Sequence, residues 1–191
     1  LWIICQTGFH KKLPAATGTR IACVVIGLYV SFIILNCEWS GVNKDTFAQY
    51  RNFYGTLRVD TENIGNSKLL GHGLYHGNTF HGFQCTDSEL STQPTTYYAH
   101  SSGLGAAFQH LKKNNESLRV GVVGLGTGTT ASYARENDYF HFYEINPDVI
   151  SIAKKTFSYL KKCKGTVEIT LADARIAMER EENQKYDLIV L

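Results

Sequence analysis

The chain has 191 residues, enough for one domain and an appendage, and at 43% hydrophobic and 19% charged it can bury a core, which excludes a disordered chain. A formal net charge of +2 gives no bulk-charge case for nucleic-acid binding. The five cysteines (Cys5, Cys23, Cys37, Cys85, Cys163) are dispersed and odd in number, with no C-x-x-C pair, which argues against a disulfide scaffold or a zinc knuckle.

The chain opens on Leu1 rather than Met and stops at Leu191 inside a buried-strand pattern, Tyr-Asp-Leu-Ile-Val-Leu. An exposed hydrophobic edge is a poor place for a domain to stop, so the sequence reads as a piece of a longer protein, cut after a fourth strand. Residues 1–9 read as the tail of an earlier helix. Residues 21–37, IACVVIGLYVSFIILNC, carry no charge and would span roughly 26 Å as a helix, close to a bilayer's hydrocarbon thickness. Arg20 and Glu38 bracket this run, and Trp39 suits an interface. Residues 1–40 are therefore expected to be a membrane segment, in an inner membrane of bacterial type. Lys11, Lys12 and Arg20 before the helix against Lys44 and Arg51 after it leave its orientation open.

Residues 50–100 read as a small β unit of short strands and tight turns. Residues 50–60 are aromatic and β-branched, residues 68–85 carry Gly or Asn every few positions, and residues 91–102 are rich in turn formers. Residues 102–113 have helical spacing through Leu104, Ala107, Phe108 and Leu111.

Residues 101–191 read as a partial cofactor-binding α/β domain. The apolar run from Arg119 predicts a strand covered on both faces. A helix over 129–136, a strand over 139–145, a helix over 148–163, a strand over 166–171, a helix over 174–182 and a strand over 187–191 follow. This alternation predicts a parallel, doubly wound, Rossmann-like sheet. Gly165 is placed to end the second of these helices, whose lysine-rich end, Lys161, Lys162 and Lys164, suits the helix dipole. The lysines over 154–164 read as a solvated helix face.

Between the first strand and its helix stands Gly124-Leu125-Gly126-Thr127-Gly128. Glycines there let the backbone turn sharply and approach a ligand. The spacing is G-x-G-x-G, not the G-x-G-x-x-G that cradles a dinucleotide pyrophosphate. Glu144 follows Gly124 by 20 residues and ends the second strand, where a carboxylate can accept from both ribose hydroxyls. Asp173, after the third strand, can accept from an adenine amine, although a helix N-cap is the common use of such a residue. Together these residues point to a methionine-derived adenosine cofactor. His72, His76, His81 and His100 cluster in the β unit without carboxylates or cysteines at ligand spacing, so no metal is expected.

The stretch resembles the S-adenosylmethionine-dependent transferase superfamily. The chain over 50–191 is similar to its spermidine synthase (polyamine aminopropyltransferase) branch in membrane-fused form, through residues 51–59, 76–84 and 94–98 and the apolar helix upstream. The resemblance implies a methyltransferase-type fold, S-adenosylmethionine or its decarboxylated form as cofactor, a small amine as partner substrate, and room for a homodimer. It assigns Gly124, Gly126, Thr127, Gly128, Glu144 and Asp173 to the cofactor. His81, Gln84 and Tyr98 (or its neighbour Tyr97) become substrate-side candidates. The family's turn carries an aspartate where this chain has Thr127, and its catalytic aspartate would fall beyond Leu191. The implied reaction is aminopropyl transfer to a polyamine nitrogen. Methyl transfer and a catalytically silent nucleoside-binding domain are the alternatives.

Overall fold

A computed structural model describes residues 15–42, 45–63, 69–181 and 185–191. The expected helix tail at 1–9, together with Lys11, Lys12, Lys44 and Glu182, lies outside those residues. The chain divides into two units, Leu1–Lys44 and Asp45–Leu191.

In the first unit a helix, α1, runs over Ala15–Val42 and contains the uncharged run of residues 21–37. Its segment Gly18–Leu35 is long and apolar enough to cross a membrane by length and composition.

The second unit begins with an antiparallel meander. Its strands are β1 (Thr46–Asn52), β2 (Gly55–Asn63), β3 (Leu70–His76) and β4 (Thr79–Cys85), paired in chain order. What reads in the sequence as one aromatic stretch at 50–60 is a hairpin, turning at Phe53 and Tyr54. Val59 pairs with Leu74, and both are buried with Leu57.

Next come a helix, α2 (Gly103–Asn114), and a parallel sheet. The sheet strands are β5 (Arg119–Val123), β6 (Tyr139–Glu144), β7 (Thr166–Leu171) and β8 (Leu188–Val190), in the order β7-β6-β5-β8. The first strand, β5, thus lies inside the sheet, with its successors laid first to one side and then to the other. This is the Rossmann-like doubly wound arrangement expected from the alternation, and strand order reverses at β5. Helices α3 (Pro147–Lys155) and α4 (Ala174–Arg180) join β6 to β7 and β7 to β8. One apolar core runs through the unit: Leu57, Val59 and Leu74 of the meander pack in the same cluster as Phe108, Val120, Val122, Phe140 and Phe142.

Two helices are shorter than their sequence pattern. The segment 129–136 forms only a 3-10 turn, Thr129–Tyr133. Asp138 causes the break. It is fully buried in the side chain and accepts from the backbone N–H groups of Leu118 and Arg135, at 2.8 Å each. Those bonds and the Arg135 ion pair hold its carboxyl below the usual range against the cost of burial. They also fix Arg135 and its neighbours outside a helix. Helix α3 starts one residue before Asp148, with Asn146 as N-cap and Pro147 in its first turn, and ends at Lys155 rather than Cys163. Beyond it, the N–H of Ser158 donates to Gln84 Oε1 at 2.8 Å, a partner 74 residues away that replaces the helical carbonyl. Lys161, Lys162 and Lys164 therefore lie on an irregular turn, not on a helix face.

Candidate functional site

The carboxyl ends of β5 and β6, roofed by the meander, enclose a cavity of about 380 Å³. Gly124 and Gly126 of the glycine turn line it. Gly124, Gly126 and Gly128 have φ of 87°, 54° and 82°, the left-handed region open to glycine at little cost. The Gly124 N–H donates to the Tyr143 carbonyl at 2.8 Å, fastening the turn to β6. A side chain on Gly124 would meet nothing within 4 Å, so the backbone there is open to approach by another molecule.

Glu144 closes the β6 end of the cavity and is 8% exposed. Its Oε2 accepts from Leu125 N–H and its Oε1 from Asn146 N–H, both at 2.9 Å. A carboxylate has about four acceptor positions, so each oxygen keeps capacity for a ligand hydroxyl. Glu144 and Gly124 also line a second, shallower hollow of about 370 Å³ with Asp173 and Arg175. There Asp173 caps α4, accepting from Ile176 N–H at 3.1 Å through Oδ1. The capping use is real, and it aligns the carboxylate on the same edge as Glu144.

Asn146 was not singled out by sequence reasoning. It is 2% exposed and lines the larger cavity. Its Oδ1 accepts from Asp148 N–H and from Asn52 Nδ2, while its own Nδ2 has no partner. A buried amide donor left unpaired beside a cavity costs about 1–3 kcal/mol unless something in the cavity accepts from it. The available signal was the Asn-Pro pair opening a helix, which reads only as a cap.

On the opposite wall, His81 and Tyr98 line the cavity with Tyr54 and His76. Burial, helped by nearby His76 and opposed by Glu144, lowers the pKa of His81, favouring a neutral ring. Burial pushes the Tyr98 phenol well above its usual range, with Tyr97 adding to it. Of the two neighbouring tyrosines, Tyr98 faces the cavity, whereas Tyr97 is 52% exposed.

Gln84, Thr127 and Gly128 stand apart from these cavity walls. Gln84 is buried, donating from Nε2 to the Ser91 carbonyl at 2.7 Å and to Ser158 Oγ at 3.0 Å while Oε1 accepts from Ser158. Its amide is spent on fastening β4 to the turn after α3. Thr127 is buried, sharing a hydroxyl hydrogen bond with Thr129 at 2.7 Å. A Cβ added to Gly82 of β4 would come within 2.7 Å of Thr127 Oγ1. The threonine thus packs the turn against the meander. Gly128 supplies the left-handed residue that opens the 3-10 turn, against Leu160. Among the described residues no group of three or more His, Cys, Asp or Glu side chains is arranged to hold a metal ion.

The fold and the edge it presents define a class: a Rossmann-like α/β unit preceded by a β meander, with carboxylates at successive strand ends beside a glycine turn. The sequence matches no protein-family model and no curated protein. Among solved structures it is similar to a probable spermidine synthase from Corynebacterium glutamicum ATCC 13032, with a TM-score of 0.58 and 17% sequence identity. The alignment covers 74% of this chain and 50% of that one, so the chain spans half the length of that structure. At this identity the likeness is one of fold, and the fold is spermidine-synthase-like.

Proposed function

We propose that the unit over residues 45–191 binds an S-adenosylmethionine-derived nucleoside at the carboxyl edge of its parallel sheet. The observation that carries this reading is the buried Glu144 carboxylate, fixed by two backbone N–H groups beside a turn of three left-handed glycines. Glu144 would accept from the ribose hydroxyls, the orphan amide of Asn146 would donate to the ligand, and Asp173 would meet the adenine side. When bound, such a cofactor supplies a carbon activated by an adjacent sulfonium. The protein's part is to hold and align an acceptor beside it. The neutral His81 and the protonated Tyr98 line the wall that an acceptor would meet.

The leading activity is spermidine-synthase-like transfer of an aminopropyl group from decarboxylated S-adenosylmethionine to a polyamine, in a protein anchored to a membrane through residues 21–37. Methyl transfer from S-adenosylmethionine is the second reading. It is favoured by Thr127, a buried neutral hydroxyl where aminopropyltransferases resemble one another in an aspartate, and which therefore cannot attract a polyamine cation. Calorimetry with methylthioadenosine on the full chain tests the binding: saturable heat, with an affinity that Glu144→Ala weakens, is expected, and no heat at millimolar ligand would sink it. Incubating full-length protein with putrescine and the decarboxylated cofactor should yield spermidine. Methylated products from S-adenosylmethionine and none from the decarboxylated form would move the assignment to methyl transfer.

A further inference from the structure

A second hollow, of about 320 Å³, lies between the end of α2, the 3-10 turn and the segment after α3, and shares no lining residue with the cavity above. Four cations line it, Lys112, Arg135, Lys162 and Lys164, and none of its lining residues is acidic. Arg135 is compensated by Asp138, at 3.1 Å. None of the three lysines makes an ion pair among the described residues, and only Lys112 feels a nearby carboxylate, Asp138, which already pairs with Arg135. Lys112 Nζ donates to the Tyr133 carbonyl and Lys162 Nζ donates to Ser91 Oγ at 2.5 Å, both neutral acceptors, while Lys164 has no carboxylate partner among the described residues.

Such bonds orient an ammonium without cancelling its charge, and each of these two ammonium groups keeps donors for another acceptor. Partial burial and the nearby Arg135 charge together lower the Lys112 pKa, with Asp138 opposing them. An independent observation comes from Ser132, which also lines the hollow: its Oγ is buried and has no hydrogen-bond partner. Unpartnered buried hydroxyls are uncommon. Ammonium groups without ion-pair partners around a donor without an acceptor suit a compact anion rich in acceptor oxygens. Tyr133, stacked on Phe108 with ring centroids 4.5 Å apart, gives the hollow a rigid wall.

We propose that this basic hollow is a binding site for a small phosphate-bearing anion, held by Lys112, Lys162, Lys164 and the Ser132 hydroxyl. The site is separate from the nucleoside edge and does not depend on that assignment. Calorimetric titration of the full chain in neutral detergent with inorganic pyrophosphate, and in parallel with inorganic phosphate, tests it. Saturable binding is expected, weakening as salt rises. Lys164→Ala, at an exposed position, should weaken pyrophosphate about tenfold and Lys164→Glu further, since removing and then reversing a charge acts on an anion in that order. Ser132→Ala should weaken it severalfold without lowering the melting temperature, because the hydroxyl has no protein partner to lose. Methylthioadenosine affinity should be unchanged in every variant. Absence of saturable binding, indifference to both Lys164 variants, or competition between pyrophosphate and methylthioadenosine would each overturn the proposal.

Discussion

The two sheets of the second unit present candidate functional side chains by different rules. In the parallel sheet, Gly124, Glu144 and Asp173 stand just after β5, at the end of β6 and just after β7. Each sits where a strand runs out, so one geometric rule brings together residues separated by 49 positions. In the antiparallel meander the candidates lie within strands, and their neighbours decide their roles. His81 and Gln84 are both in β4, three residues apart, yet His81 lines the cavity while Gln84 is sealed against Ser91 and Ser158. Strand ends gather the candidates in the first sheet, and burial separates them in the second.

The contrast can be broken most directly at the parallel edge. Gly126→Val puts a β-branched side chain at a φ of 54°, and Glu144→Ala strips the acceptor from two backbone donors. Each should weaken methylthioadenosine binding by about a hundredfold, roughly the 3 kcal/mol expected for a buried charged hydrogen-bonding group. Calorimetry reads the loss, and circular dichroism checks that the variants fold. Wild-type affinity in Glu144→Ala would remove the strand-end rule from this protein.

In the meander the corresponding experiment should affect stability and spare binding. Gln84→Leu leaves the Ser158 N–H and the Ser91 carbonyl without partners, at about 2–3 kcal/mol of unfolding free energy by urea titration. A variant of unchanged stability with lost ligand affinity would instead make Gln84 a ligand contact. Gly82→Ala should cost about 1–2 kcal/mol, as overpacking does. Its new methyl would meet Thr127 Oγ1 at 2.7 Å, and its φ of 145° disfavours a side chain. Gly82→Ala combined with Thr127→Ser should recover part of that loss if the threonine methyl shares in the clash.

The smallest expected effect concerns pH. Burial lowers the His81 pKa below its usual 6.5, so in the folded protein the ring stays neutral where the unfolded chain already takes up a proton. Stability from this source is complete above about pH 6.5 and falls as pH drops toward the lowered pKa. His81→Asn should flatten the melting-temperature profile between pH 7.5 and 5.5 by a small margin. His72, whose pKa burial also lowers, contributes in the same direction and remains in the variant.

Much of the parallel sheet was legible because its signals are local. Apolar runs such as Val120–Val123 and the glycine spacing need no knowledge of partners. The lengths of the helices were not legible, since the Asp138 carboxylate and the Gln84 amide capture backbone N–H groups from outside each segment. No periodicity within 129–136 or 148–163 reports that competition. Asn146 was missed for a related reason. Its sequence setting describes one end of its side chain, the capping oxygen, while the unpaired nitrogen shows only once the cavity exists. The lysines of 161–164 had the reverse history. They read as one solvated helix face, but the early end of α3 sends Lys162 and Lys164 to a hollow shared with Lys112.

Asn52, at the tip of the β1–β2 hairpin, donates to Asn146 Oδ1 at 2.7 Å and to Asp148 Oδ2 at 2.6 Å. The meander's first turn is thereby latched to the start of the helix that follows Glu144. Parting the hairpin from that helix would break two side-chain bonds at once, one of them to a carboxylate. Asn146, whose unpaired amide lies beside the cavity, is thus held from both sides, by its own helix and by the meander.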